Sequence, residues 1–95
     1  MDGSWLRAPP VSGSVLMNVG DLLQFYSGGR YPATLHRVVV PKEEAERAQP
    51  RQSVVFFLHP DGETDVENVT GEGTDYPKTT AKEHVLKRFA ETYQY

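Results

Sequence analysis

Residues 34–41 read TLHRVVVP and residues 51–60 read RQSVVFFLHP, and these two runs decide the fold. In an extended chain successive side chains point to opposite faces. Thr34, His36, Val38 and Val40 therefore share one face of the first run, and Leu35, Arg37 and Val39 share the other. β-Branched residues dominate it and Pro41 stops it, which is the pattern of a strand. The second run places Arg51, Ser53, Val55 and Phe57 on one face, with Gln52, Val54, Phe56 and Leu58 opposite. Both faces are largely apolar, which predicts a strand covered on both sides, as inside a two-layer β structure. The intervening KEEAERAQP is charged and flanked by prolines, a solvated connection with room for one helical turn.

On the N-terminal side, VSGSVLMNVGD (residues 11–21) is a short apolar run between turn residues. It predicts a strand closed by a tight turn at Gly20-Asp21, with Asp21 able to cap a helical segment after it. LLQFYS (22–27) predicts one or two helical turns, stopped by the Gly28-Gly29 pair. On the C-terminal side, residues 62–79 are rich in Gly, Asp, Glu, Thr and Pro without periodicity, and read as a surface loop. Thr80-Ala81-Lys82-Glu83 then has capping-box spacing, and Val85, Leu86, Phe89 and Tyr93 recur on one helical face. A helix over 81–93 is predicted. The reading is a mainly β chain with a C-terminal α-helix.

The 95 residues suit one small domain or a piece of a larger one. Ten Lys and Arg stand against thirteen Asp and Glu, for a net charge of −3, so no basic stripe exists to displace counterions from nucleic acid. The absence of cysteine removes disulfides, cysteine-based zinc sites and thiol catalysis, and fits a reducing compartment. Apolar runs such as SVVFFL are of strand length, and the opening MDGSWLRAPP has neither a basic nor an apolar leader segment. The chain is therefore read as cytoplasmic, with no membrane partner, and the sequon Asn68-Val69-Thr70 as unused.

His36 on an apolar strand face reads first as a buried imidazole bonded to a carbonyl. Its neighbours change that weighing. Arg51 and Ser53 are spaced i, i+2 and project from one side of the next strand, where guanidinium and hydroxyl together can grip one carboxylate. Alone, that pair would be an exposed strand start with an ordinary surface arginine. Strands close in sequence tend to be close in space, so a metal-ligating histidine would face an anion clamp. A chelating ligand with a distal carboxylate fits between them.

These residues also carry a resemblance. GSWLRAPP, GSVLMNVGDLLQFYSGGRYPATLHRVV and RQSVVFFLHPD are similar to the C-terminal half of the iron(II)/2-oxoglutarate-dependent dioxygenases, in the branch with isopenicillin N synthase, aminocyclopropane-carboxylate oxidase and the flavonoid hydroxylases. The likeness runs from Gly3 to Asp61. Gly-x-Trp, Pro-Pro, Asn-x-Gly-Asp, Ser-x-Gly, Thr-x-His-Arg-Val and Arg-x-Ser follow one another in order, while the C-terminal helix is only loosely similar. The resemblance implies a jelly roll, here partial, over 1–61; the surface loop over 62–79 and a C-terminal helix over 80–95 complete the division of the chain. It implies that His36 is the third ligand of an iron(II) triad, and that Arg51 and Ser53 bind the 5-carboxylate of the cosubstrate 2-oxoglutarate. The implied reaction is oxidative decarboxylation of 2-oxoglutarate coupled to hydroxylation or oxidation of a small organic substrate, whose contacts come largely from other parts of the fold. Some members of the branch keep the Arg-x-Ser pair without using 2-oxoglutarate.

One departure stands out. The family triad is a His-x-Asp on an earlier strand plus the distal histidine, and no histidine precedes His36. The earlier acids are Asp2 and Asp21, the latter within the Asn-x-Gly-Asp turn. His59-Pro60-Asp61 matches His-x-Asp but comes after His36, at a strand end. The expectation is thus a piece of an oxygenase that is inactive by itself and self-associates through exposed strand edges. The rival is a truncated, non-enzymatic product acting as an interaction module.

Overall fold

The computed structural model describes residues 3–71 and 76–92. In chain order the described elements are α1 (Asp21–Tyr26), α2 (Glu44–Arg47), β1 (Asp65–Val66), β2 (Thr79–Thr80) and α3 (Ala81–Thr92).

α1 begins after Gly20, the N-cap, so Asp21 is the first helical residue rather than the cap, and its carboxylate sits in the first turn where the helix dipole favours it. It ends in a Schellman motif. The Gly28 N–H donates to the Phe25 carbonyl (3.1 Å) and the Gly29 N–H to the Gln24 carbonyl (2.8 Å), both glycines having positive φ (59° and 85°). Gly29 is doubly constrained, because a Cβ there would lie 2.8 Å from the Tyr76 hydroxyl oxygen. Gly29→Ala should therefore lower stability by about 1–3 kcal/mol through left-handed strain and displacement of Tyr76. Gly13→Ala, at φ 72° but in open space, isolates the strain alone. Urea unfolding of the two variants checks this: equal midpoints would remove the Tyr76 contact as a cause.

β1 and β2 form an antiparallel two-stranded sheet with Asp65 opposite Thr80 and Val66 opposite Thr79. Thr80 leads directly into α3 through a reciprocal capping box. The Glu83 N–H donates to Thr80 Oγ1 and the Thr80 N–H donates to Glu83 Oε2, each at 3.2 Å. Backbone bonds from Ala81 to the Thr64 carbonyl and from Lys82 to the Gly62 carbonyl (2.9 Å each) seat the start of the helix. Lys78 lies 2.7 Å from Asp65, whose carboxylate accepts a hydrogen bond from the ammonium and raises its pKa above the ordinary lysine value.

The buried centre lies here: Val66 is fully covered, with Ala81 and Ser27 nearly so. Residues 62–79, expected as surface loop, thus supply the most buried side chain. Two bonds, from the Tyr26 hydroxyl to the Asp65 carbonyl (3.0 Å) and from the Val69 N–H to the Tyr26 carbonyl (2.9 Å), lock this segment onto α1. On α3 the apolar stripe is only half used, since Val85 is partly covered while Leu86 and Phe89 are exposed. Tyr93, the last residue of the predicted stripe, lies outside the described residues.

The three expected jelly-roll strands differ from expectation. Residues 11–20, 34–40 and 51–58 enter no ladder among the described residues. The first contains a turn at Gly13, with Ser14 bonded back to the Val11 carbonyl, where a strand had been predicted. The third, predicted to be covered on both sides, is open on both: Val54 is 96% and Phe57 78% exposed. The reason is that a strand is stabilised by its neighbours, and in a jelly roll those neighbours come from distant parts of the chain. Residues 43–48 do contain the helical turn allowed for there, as α2.

Candidate metal-ligand and anion site

The His36 segment is tied at its root to α1. The Ala33 N–H donates to Gln24 Oε1 (2.6 Å) and the Thr34 N–H to the Val19 carbonyl (3.0 Å). Two residues on, His36 Nδ1 lies 2.7 Å from the Thr34 carbonyl oxygen. A carbonyl only accepts, so Nδ1 carries the proton, which in the neutral ring leaves the lone pair on Nε2 of an exposed side chain. Half of the ordinary reading of this histidine holds: it is bonded to a carbonyl but it is not buried. The next residue, Arg37, places its guanidinium carbon 4.3 Å from the Trp5 ring centroid, a cation–π contact that joins the Gly-x-Trp segment to this run.

Arg51 lies beside the far end of the same run, lining with residues 38–41, Glu46, Arg47 and Gln49 a shallow hollow of about 320 Å³. It is exposed and pairs with no described carboxylate, so its guanidinium is available to an external anion. Ser53 is exposed on the following stretch and does not line the hollow, nor does His36. The structure therefore brings Arg51 against the His36-bearing run without gathering His36, Arg51 and Ser53 into one pocket.

His36 donates one ring nitrogen to a carbonyl, the arrangement common among imidazoles that bind a metal through the other. The remaining residues go no further. Among the described residues no three His, Asp or Glu side chains cluster as a metal would require, and His59, whose Nδ1 lies 3.1 Å from the Pro60 carbonyl oxygen, joins no such group with Asp61.

Comparison with known proteins decides the family: residues 1–60 match the 2OG-Fe(II) oxygenase superfamily. The chain belongs to that superfamily. Among oxygenase relatives, a homoarginine-6-hydroxylase of Glycine max is 42% identical over 67 residues, covering 70% of this chain and 19% of its own length. A 2-oxoglutarate-dependent dioxygenase of Amanita muscaria is 41% identical over 68 residues, covering 72% of the chain and 32% of its own length. A homoarginine-6-hydroxylase of Oryza sativa subsp. japonica is 35% identical over 92 residues, covering 90% of the chain and 26% of its own length. This chain of the oxygenase superfamily thus spans about a fifth to a third of the curated relatives it matches. No solved structure matches it. No described helix is long and apolar enough to cross a membrane.

One cluster escaped the sequence reading. Asp21, placed there as a turn residue able to cap a helix, meets His84 and Arg88 of α3. The readable signal was the i, i+4 spacing of His84 and Arg88, which puts both on one side of a helix.

Proposed function

We propose that this chain forms the distal-histidine and cosubstrate-carboxylate end of an oxygenase site that couples decarboxylation of 2-oxoglutarate to oxidation of a small organic molecule. Superfamily membership supports the reaction class, and the observation that carries the assignment to this chain is the His36 Nδ1 to Thr34 carbonyl bond, which holds Nε2 as an acceptor for a metal. In this reading residues 1–61 complete half of a jelly roll once paired with the rest of the fold, 62–79 connect, and 80–95 carry the C-terminal helix. Iron(II) in a complete ligand set supplies the oxygen chemistry. The chain's own share is positional: His36 offers one nitrogen, while Arg51 and Ser53 orient the far carboxylate of 2-oxoglutarate by charge-assisted hydrogen bonds. With one ligand of the triad, the chain is inactive by itself.

The test is made in the chain extended upstream with a His-x-Asp-bearing strand. Arg51→Ala should weaken 2-oxoglutarate by about 2–3 kcal/mol, or roughly 30- to 150-fold, as measured by calorimetry. Ser53→Ala should cost less, since a neutral hydroxyl contributes one weaker bond. An unchanged affinity in the Arg51 variant removes the clamp.

A further inference from the structure

We propose that α3 is a strap latched onto α1 through Asp21, and that this latch positions the imidazole of His36, making Asp21 and Arg88 positioning residues. The start of α3 is held by backbone bonds to Gly62 and Thr64. Among the described residues, its polar attachment to α1 is one small cluster. Asp21 Oδ2 accepts from Arg88 Nε at 2.7 Å, and His84 Nε2 lies 3.4 Å from the same oxygen. Arg88 also donates through Nη1 to Glu91 Oε2 at 2.6 Å, which fixes the guanidinium on the helix surface.

The His84 side chain is only 12% exposed. Its Nε2 is fully covered and within ionic reach of Asp21, yet not aligned for a hydrogen bond, so packing rather than bonding sets the ring. That packing is aromatic: His84 stands edge-on to Phe25 (5.5 Å, 80°), and Phe25 stands edge-on to Tyr76 (5.3 Å, 72°). Asp21 and Phe25 belong to α1, so the strap grips α1 along one side.

From α1 the connection continues to His36. Gln24 accepts the Ala33 N–H, Val19, just before α1, accepts the Thr34 N–H, and the Thr34 carbonyl accepts the His36 Nδ1–H. Each link is a hydrogen bond, two of them from α1 or the residue pair that leads into it, so a tilt of α1 moves Ala33 and Thr34 with it. The inference concerns the placement of the imidazole. It takes its functional sense from the reading of His36 as a ligand, but it stands or falls without any metal.

The experiment uses the full 95-residue chain. Amide hydrogen exchange is followed over residues 28–36 and 84–92, and the His36 ring nitrogens are observed by ¹⁵N NMR, which distinguishes the Nδ1–H from the Nε2–H tautomer. The latch residues are partly exposed, so its loss should accelerate exchange about 1.5- to fivefold, the range for surface ion pairs. Asp21→Asn and Arg88→Gln should each do so in both segments and shift His36 towards the Nε2–H tautomer. The double variant should go no further than either single one. Glu91→Gln, which spares the Asp21–Arg88 contact, should leave the 28–36 segment unchanged.

In the unmodified chain, raising sodium chloride from about 0.02 to 1 M should reproduce the acceleration in both segments, since exposed charges are screened at that salt. Faster exchange in 84–92 with residues 33–34 and the His36 nitrogens unmoved would overturn the positioning role. No change in either segment, in the variants or in salt, would overturn the latch itself. Neither result touches the 2-oxoglutarate affinity that tests Arg51, so the two readings fail separately.

Discussion

The 95-residue chain, loaded anaerobically with iron(II) and then given oxygen and 2-oxoglutarate, is expected to release succinate only at background. Its histidines are His36, His59 and His84, and none precedes His36. The facial site of this chemistry needs two imidazoles and one carboxylate, and among the described residues no three such groups converge. Loss of a single supporting partner around a metal ligand commonly costs about 10- to 100-fold, so the absence of two ligands should reach the assay floor. Arg51 and Ser53 do not compensate, because two hydrogen-bonded contacts to one end of a small dianion barely offset its lost translational freedom. Covalent attachment of a His-x-Asp-bearing strand upstream should bring iron-dependent succinate release above background. Catalytic succinate from the chain alone, abolished by both His36→Ala and Asp61→Ala, would establish instead a permuted site using His59 and Asp61.

The second large effect is on assembly. We expect light scattering to show oligomers of the isolated chain at micromolar concentration. The stretch SVVFFL is β-branched and aromatic, uncharged and free of proline, and its residues 54–58 lie open to solvent outside any ladder, with Val54 96% and Leu58 87% exposed. Residues 38–40 add a second uncovered run of three valines. Contiguous apolar surface of this kind drives association unless a partner covers it. Phe56→Lys places a charge in the middle of the stretch and should shift the population towards monomer. A clean monomer of the unmodified chain with a cooperative thermal transition would show instead that the exposed runs are tolerated.

Local signals in the sequence translated well. Thr80 and Glu83 form the reciprocal cap that their spacing announced, Gly28-Gly29 ends α1, and residues 44–47 make the short helical turn allowed between the prolines. Each of these depends on residues a few positions apart, which a single sequence displays directly. The strands over 34–40 and 51–58 were legible only as potential, because their apolar periodicity describes a strand that has partners and the ladder must come from elsewhere. For the site, His36 was legible as a residue type that can ligate a metal but not as a ring bonded to the Thr34 carbonyl, and the spacing of Arg51 and Ser53 says nothing about distance to His36 across two unpaired runs. For the contact of Asp21 with Arg88, sixty-seven positions apart, the i, i+4 spacing of His84 and Arg88 was the one local signal, and it does not name the partner.

The bonds that tie both ends of the 35–60 stretch to α1 make that stretch a closed excursion. Its root is held through Ala33 and Thr34, and its return through Asp65 and Val69 on Tyr26. The entropy of closing such an excursion grows only with the logarithm of its length, about 0.6 kcal/mol for each doubling. Residues added between α2 and Pro50, or removed there, would therefore leave the packed centre around Val66 almost untouched. Beyond His36 the arm that bears Arg51 is in this sense free to vary in length and decoration, while its anchor, and the imidazole tied to it, stay the same.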